Sequence, residues 1–220
     1  MPTGRPRDPQ IDAAVLGATL AVLDEAGYGR LTIEEVARRA EATKPAIYRR
    51  WPTRQHLALA ALASRLGDSP VPDTGCTLCD LDEGIHVFLV AFRRIRPGVL
   101  AALFADCAAV PELHAAFLAT LFDPPRAAVG QMLERAVARG DLRADIDRGL
   151  VLDMLSSVVH YRALFGHAPT TDHEVQQAVE ALLSGIAVDY PRLVAHSRAL
   201  TAAHDPAHNA AHNAAHHSHA

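Results

Sequence analysis

The chain has 220 residues, half of them apolar, so it can bury one sizeable core and a smaller second domain. Its formal net charge of −4 excludes a uniformly basic nucleic-acid binder, but residues 1–60 carry 9 basic and 7 acidic side chains and residues 61–220 carry 12 and 18. This uneven charge suggests a division of labour along the chain. Because no apolar run reaches the roughly 18 residues of a membrane span and no signal sequence is evident, we expect a cytoplasmic protein that binds no membrane and keeps its three cysteines reduced.

Apolar spacing in the first part of the chain predicts a series of short helices. A stripe from Ile11 to Val22 repeats at helical intervals, and a capping-box pattern at Thr32–Glu35 opens a second helix. After a three-residue turn, Thr43 can cap a third helix of about two turns, which Pro52 must break. Thr53 can cap a fourth helix, so the first part of the chain contains four predicted helices.

The stretch Gly67–Gly75 is rich in proline, glycine and aspartate and marks the predicted boundary between two domains. Beyond it the apolar periodicity stays helical, with an interruption at Asp123-Pro-Pro125 and a last strong helix capped by Thr171 and Glu174. No segment shows a convincing period of two. The predicted fold is therefore all-α.

The C-terminal end has a different composition. Seven of the thirteen histidines lie in residues 196–220, which also contain a short AHNA repeat. The segment has too little bulky apolar surface to offset the entropy of an ordered chain. We therefore expect a disordered His/Ala-rich tail over 196–220.

Residues 43–57, TKPAIYRRWPTRQHL, hold four cations and no carboxylate. A helix, a three-residue turn and a short helix form the helix-turn-helix arrangement, whose second helix enters the major groove of DNA. Lys44 and Ala46 occupy its leading turn, nearest to the bases, while Ile47 and Trp51 are assigned to the inner face. Hydroxyls and cations that suit phosphate follow at Tyr48, Arg49, Arg50, Thr53 and Arg54.

With these landmarks, residues 9–57 resemble the DNA-binding domain of the TetR family of one-component transcriptional regulators. The matching segments are Ile11…Ala26-Gly27-Tyr28, Leu31-Thr32-Ile33…Val36-Ala37…Ala40 and Ala46-Ile47-Tyr48-Arg49…Trp51-Pro52-Thr53-Arg54…Leu57. This match over a full domain is far more specific than a generic helix-turn-helix. It implies an N-terminal three-helix DNA-binding domain followed by a helical ligand-binding and dimerisation domain.

The resemblance also implies roles for individual residues. Thr32, Thr43, Tyr48 and Arg54 match positions that hold the DNA backbone, and Lys44, Ala46 and Arg49 match positions that face bases. Two residues depart from the family pattern but stay cationic: Arg54 replaces a frequent lysine, and Arg50 stands where histidine is common. The predicted DNA-binding set is Thr32, Thr43, Lys44, Pro45, Ala46, Tyr48, Arg49, Arg50, Thr53 and Arg54.

The rest of the chain resembles the variable C-terminal domain of one bacterial subfamily. The similar segments are Arg139-Gly-Asp-Leu-Arg143…Asp145 and Tyr161-Arg162-Ala-Leu-Phe165-Gly. In the family the last two helices of each subunit form a four-helix dimer interface, which implies a homodimer through about 147–166 and 172–188. Such a dimer presents its recognition helices about 34 Å apart to a near-palindromic double-stranded operator.

A ligand pocket needs apolar walls and a few polar anchors. Residues of the body that could supply both are Phe88, Phe92, Phe104, Leu118, Phe122, Met132, Met154, His160 and Tyr161. Core packing explains most of these positions equally well. We expect a small-molecule effector of apolar or amphipathic character and no cofactor.

Two other functions remain open. The pair Cys76 and Cys79, together with the His-rich tail, permits a metal-responsive regulator, although one CxxC without a partner pair is simpler to interpret as two ordinary thiols. An all-α small-molecule-binding protein or an enzyme is a weaker alternative, because no Ser/His/Asp order, glycine-rich phosphate loop or metal-spaced carboxylate set stands out.

The predicted function is a ligand-responsive transcriptional regulator, a repressor that binds a palindromic operator as a dimer and is released by a small molecule. The helix-turn-helix domain is expected at 9–56 and the connecting helix and linker at 57–75. The effector-binding and dimerisation domain is expected at 76–195, before the tail at 196–220.

Overall fold

A computed structural model of the chain describes residues 9–68, 71–165, 167–168 and 171–204, with the side chains of residues 87, 88, 91, 163, 203 and 204 outside the description. Within these residues the α-helices are Pro9–Ala26 (α1), Ile33–Arg39 (α2), Lys44–Tyr48 (α3), Arg54–Leu66 (α4), Thr77–Arg93 (α5), Val99–Ala108 (α6), Pro111–Phe117 (α7), Asp123–Ala138 (α8), Arg148–Phe165 (α9), Asp172–Ile186 (α10) and Tyr190–His204 (α11). A 3-10 turn, Tyr28–Arg30, follows α1, and a π-helical turn, Leu118–Phe122, joins α7 to α8. The all-α prediction is confirmed, because the described residues form no strand beyond an isolated bridge between Leu142 and Ala187.

The chain divides into two compact units. The first consists of Met1–Ser69, Val87–Ala127 and Ser156–Thr170, and the second of Pro70–His86, Ala128–Leu155 and Thr171–Ala220. This division passes through α5, α8 and α9, whereas the predicted domains follow the chain. The two divisions describe different properties, so the predicted bounds of the functional domains stay a prediction.

Threonine caps open three successive helices at the start of the first unit. The hydroxyl oxygens of Thr32, Thr43 and Thr53 accept hydrogen bonds from backbone amides in the first turns of α2, α3 and α4. Each cap satisfies an amide that has no partner within its helix. Between α1 and the 3-10 turn, Gly27 has a φ of 79°, which glycine adopts without steric cost.

The core of this first part is built by α1, α2, α3 and α4. Ile47 is fully buried and holds the five-residue α3 against its neighbours, while Leu57 and Leu62 of α4 are also fully buried. Since a five-residue helix is too short to be stable by itself, its position depends on this packing. Farther along the first unit, α4 also packs against α6 and α7.

Residues 111–138 correct one expectation. The sequence predicts that Asp123-Pro-Pro125 interrupts the helix, but α7, the π-helical turn and α8 follow one another without a break. Pro124 and Pro125 lie in the first turn of α8, where the missing amide hydrogens are tolerated best. The wider π turn that precedes them changes the hydrogen-bond register without ending the helix.

In the second unit, the capping box that begins α10 is present as predicted. Thr171 and Glu174 exchange hydrogen bonds, with the Thr171 amide donating to Oε2 of Glu174 at 3.0 Å and the Glu174 amide donating to Oγ1 of Thr171 at 3.3 Å.

Between α5 and α8, Met132 fills the space beside Gly84, where an added Cβ would lie 2.5 Å from the methionine methyl. A small residue at 84 therefore allows the close approach.

The helix α11 corrects a second expectation, because it includes residues 196–204 that were predicted to be disordered. Leu193 on this helix is buried, and its many alanines favour the helical state. Disorder from residue 196 is thus placed too early, and residues 205–220 lie outside the described residues. None of the described helices combines the length and apolar character that crossing a bilayer requires.

Candidate nucleic-acid interface

The short helix α3 presents a polar outer face. Thr43, Lys44, Pro45, Tyr48 and Arg49 are exposed, and Ala46 is half-buried. Thr43 Oγ1 accepts a hydrogen bond from the Ala46 amide at 3.4 Å, so its hydroxyl is held at the start of the helix. This face can offer hydroxyl, aromatic and cationic groups to an anionic surface.

Thr32 lies at the start of α2 and is also exposed. Its hydroxyl oxygen accepts from the Glu35 amide at 3.2 Å and stays at the surface as a possible donor to phosphate. The predicted backbone-holding residues Thr32 and Thr43 are therefore both exposed caps.

Carboxylates on α2 partly neutralise this region. Glu35 accepts from Arg38 at 2.7 Å and from Arg39 at 2.6 Å, and these two hydrogen bonds, that of Arg38 first, lower the pKa of Glu35 to about 2. Lys44 pairs with Glu34, and this hydrogen bond is the main cause of the lowered pKa of Glu34. The Lys44 ammonium has three donors, so it can bind a further acceptor while Glu34 partly neutralises its charge.

Arg49 differs from Lys44 because it has no ion pair with any of the residues that the structure describes. Its side chain is exposed directly after α3. An unpaired arginine can bind a guanine edge or a phosphate with two parallel hydrogen bonds. Arg49, directly after α3, is thus an exposed cation without an ion pair among the described residues, and it can bind an external anion.

The sequence predicted Arg50 as a phosphate contact, but its side chain lies inside the protein. It pairs with Asp12 of α1, its Nη1 donates to the Ala46 carbonyl at 3.1 Å, and only 7% of its side chain is exposed. Arg50 follows the buried Ile47 by three residues and therefore lies on the same side of the helix. This spacing was a usable signal in the sequence, and it favours a structural role.

Thr53 and Arg54 stand at the start of α4. The Thr53 hydroxyl accepts from the His56 amide at 3.3 Å and lies 2.9 Å from the His56 ring, so it serves as a cap. Nη2 of Arg54 donates to Oδ2 of Asp106 on α6 at 2.9 Å, and the guanidinium carbon lies 5.0 Å from the centre of the Tyr28 ring. Both side chains therefore have partners within the protein.

The predicted pocket residues fall into several groups. In the first unit, Phe92 and Phe122 pack against the ring of His160, with ring centres 5.3 and 5.0 Å apart. Burial lowers the pKa of His160, so this imidazole is neutral at neutral pH. These three side chains form an aromatic cluster with one polar ring, which we call the His160 cluster.

The other candidates lie elsewhere. Phe104 packs against Phe117 and His114, Leu118 is half-buried, and Tyr161 is exposed. Met132 and Met154 belong to the second unit, the first buried and the second exposed. The side chain of Phe88 lies outside the described residues. Among the predicted side chains that the structure describes, ring contacts bring together Phe92, Phe122 and His160.

The cysteines correct another expectation. Cys76 and Cys79 form a disulfide, whereas the sequence predicted two reduced thiols. Cys76 precedes α5 and Cys79 lies in its first turn, which places their Cα atoms 5.3 Å apart and within bonding range. Cys107 is a buried thiol whose pKa burial raises. Among the residues that the structure describes, no group of three metal-binding side chains comes together.

Comparison with known proteins shows the family of the chain. Residues 15–61 match the domain described as bacterial regulatory proteins, tetR family, and residues 71–182 match the tetracyclin repressor-like C-terminal domain. The chain belongs to the TetR family. It is a helix-turn-helix transcriptional regulator and not an enzyme, as the sequence predicted.

Several known regulators are similar to this chain over most of their length. An uncharacterised HTH-type transcriptional regulator of Bacillus subtilis, YdeS, is 28% identical over 83% of this chain and 93% of its own. A DNA-binding transcriptional repressor of Mycobacteroides abscessus, TetR, is 31% identical over 78% of this chain and 90% of its own. The crystal structure of the TetR family transcription regulator SCO0332 is 30% identical, with a TM-score of 0.64 over 80% of this chain and 98% of its own.

The sequence did not predict a role for Asp106, Tyr28 or Gln55, although Tyr28 is one of the TetR-family landmarks. Tyr28 and Gln55 both donate to the same Asp106 oxygen that binds Arg54. These contacts join residues 51 to 78 positions apart, so no local pattern signals them.

Proposed function

We propose that this TetR-family protein is a repressor that binds a near-palindromic operator as a homodimer and is released by a small apolar or amphipathic molecule. The observation that carries the proposal is the exposed face of α3, with Thr43, Lys44, Tyr48 and Arg49 on a helix anchored by the buried Ile47. A short helix fixed by one buried residue and polar on its outer side suits insertion into the major groove.

The contacts with DNA divide by chemistry. Lys44, Ala46 and Arg49 face bases in this proposal, and the hydroxyl groups of Thr32, Thr43 and Tyr48 donate to phosphates. Arg54 binds a phosphate when it leaves Asp106. Arg50 and Thr53 act within the protein, because one is buried in an ion pair and the other caps α4.

Dimerisation through α9 and α10 is supported by exposed apolar side chains on α9. Leu150 and Met154 are 57% and 49% exposed, and Tyr161 and Phe165 are 56% and 70% exposed. Large apolar side chains exposed in this number on one helix are typical of a protein interface. A second copy that covers them would give the two-fold symmetry that a palindromic operator requires.

The His160 cluster supports a small-molecule effector. Two phenylalanine rings around one neutral imidazole can surround an apolar molecule and offer it one hydrogen-bonding group. An effector lowers operator affinity only through a difference in its affinity for the DNA-bound and DNA-free conformations, typically worth about 1–3 kcal/mol. Reciprocity requires that operator DNA weakens effector binding by the same factor.

The test is selection of bound DNA from a genomic pool, followed by a salt titration of the selected site and measurement of the mass of the complex. We expect a near-palindromic site bound by two copies much more tightly than random DNA. Lys44→Ala should change which operator is preferred, whereas Tyr48→Phe should weaken binding to all sequences. Equal binding to random DNA and to every selected site would contradict the proposal.

A further inference from the structure

One carboxylate oxygen of Asp106 accepts hydrogen bonds from three side chains. Oδ2 of Asp106 accepts from the Tyr28 hydroxyl at 2.6 Å, from Nη2 of Arg54 at 2.9 Å and from Nε2 of Gln55 at 2.9 Å. Tyr28 is 3% exposed, so the packing around its ring holds the hydroxyl in position. We call these four residues the Asp106 cluster.

The cluster joins parts of the chain with different proposed roles. Tyr28 lies in the 3-10 turn after α1, and Arg54 and Gln55 are the first two residues of α4, directly after the segment that carries α3. Asp106 lies on α6, within the segment that matches the C-terminal domain of the family. All four residues belong to the first compact unit. A displacement of α6 would therefore act on the helix that follows the recognition helix.

Arg54 is the member of the cluster that DNA would also bind. Its side chain is 40% exposed, so its guanidinium is within reach of an external anion. Carboxylate and phosphate both match the planar guanidinium with short, charge-assisted hydrogen bonds. The Nη2 group that Asp106 holds cannot donate the same hydrogen to a phosphate, and the nearby negative charge also repels one.

We propose that Asp106 competes with a DNA phosphate for Arg54, so that the Asp106 cluster restrains DNA binding by the free protein. This inference rests on the proposed function, in which Arg54 is a phosphate contact. Tyr28 and Gln55 continue to hold the carboxylate when Arg54 leaves, so the exchange is reversible and requires no rearrangement of α6. The hydrogen bond from Tyr28, followed by that from Arg54, lowers the pKa of Asp106, and the competing group is therefore ionised at neutral pH.

The experiment compares operator affinity among charge variants of the intact protein. Asp106→Asn keeps the shape and one oxygen acceptor but removes the charge that holds Arg54. Glu112→Gln is the matched control, since it removes the same charge from an exposed side chain on α7. Both changes are also made in an Arg54→Ala background, and thermal unfolding of each variant confirms that it folds.

Asp106→Asn should bind the selected operator roughly 3- to 30-fold more tightly than Glu112→Gln, as expected when two exposed ion pairs are exchanged per dimer. Its plot of log affinity against log salt should keep the wild-type slope, because Arg54 neutralises the same phosphate in both complexes, whereas Arg54→Ala should lower the slope by about 0.9 for each subunit. In the Arg54→Ala background, Asp106→Asn and Glu112→Gln should have the same affinity. Asp106→Ser is measured alongside and should change affinity in the same direction as Asp106→Asn.

The inference is overturned if wild-type protein selects an operator but Asp106→Asn binds it no better than Glu112→Gln. It is also overturned if the gain in affinity persists without Arg54, because the carboxylate would then act by general repulsion. Failure of the wild-type protein to select any DNA would overturn the proposed function itself, and the inference with it.

Discussion

Four cations lie within eleven residues of the chain, but they differ in exposure and in their partners. Two of them lie on or next to the outer face of α3, and the other two follow. Lys44 and Arg49 are exposed, whereas Arg50 is buried against Asp12 and Arg54 is bound to Asp106. A cluster of positive charge in a sequence thus combines exposed groups with groups that bind carboxylates of distant helices. The position of each cation on its helix and its partner on another helix determine to which group it belongs.

The comparison predicts that Arg49→Ala has the largest effect on DNA binding. Loss of one base or phosphate contact in each subunit should cost about 1–3 kcal/mol per subunit, while the unfolding midpoint stays unchanged. Fluorescence anisotropy with the selected operator measures the affinity. Arg198→Ala, which removes an exposed arginine from α11, is the charge control. An Arg49→Ala protein that binds as tightly as this control would remove Arg49 from the interface.

Arg50→Ala should act mainly on stability. Removal of one partner leaves the Asp12 carboxylate without its cation, and because Asp12 is 34% exposed we expect a loss of about 2 kcal/mol, below the range for a fully buried pair. Urea unfolding measures this loss. The double variant with Asp12→Ala should recover part of it. If Arg50→Ala instead weakens operator binding as much as Arg49→Ala and leaves unfolding unchanged, Arg50 is a DNA contact.

The ion pair of Arg54 with Asp106 should appear in the pH dependence of stability. The pKa of Asp106 is lowered below its ordinary 3.8 in the folded protein, so its contribution is present above about pH 4 and is lost as the pH falls through the folded value. The free energy of unfolding of wild type minus that of Asp106→Asn should therefore be constant from pH 7 to 5 and shrink below pH 4. We expect at most about 1 kcal/mol, because both side chains are partly exposed. A difference that grows at low pH would contradict the assignment.

The smallest effect is expected for Glu34→Gln, which frees Lys44. Both side chains are exposed, so stability should change by less than about 0.5 kcal/mol in urea unfolding. Operator affinity should rise slightly, because the Glu34 charge that partly neutralises Lys44 and repels a phosphate is removed. Asp145→Gln removes an exposed carboxylate that pairs with Arg143 in the second unit, and it should leave the affinity as it is. A weaker complex after Glu34→Gln would mean that Glu34 positions Lys44 for DNA.

Local patterns predicted much of this molecule. Thr32, Thr43 and Thr53 cap their helices as expected, and Ile47 is buried as its spacing indicated. These features depend on hydrogen bonds and side-chain directions within a few residues, which is why the sequence reveals them. The same spacing places Arg50 on the side of Ile47, although its charge suggests a phosphate contact.

Three other features were not predicted. The ordered α11, the continuous passage through Pro124 and Pro125 and the disulfide between Cys76 and Cys79 each differ from the expectation. In these cases packing or local geometry outweighed composition. Among the described side chains of the predicted pocket, ring contacts join Phe92, Phe122 and His160. The sequence could not single them out, since apolar residues that line a pocket and those that fill a core share one pattern.

The sequence by itself determined an all-α chain with a helix-turn-helix of the TetR type, because caps, turns and apolar periods act over short distances. Only the tertiary structure decided which of these cations pair with carboxylates on distant helices. Arg50 meets Asp12 across 38 residues and Arg54 meets Asp106 across 52, and such partners are selected by the packing of helices and not by spacing along the chain.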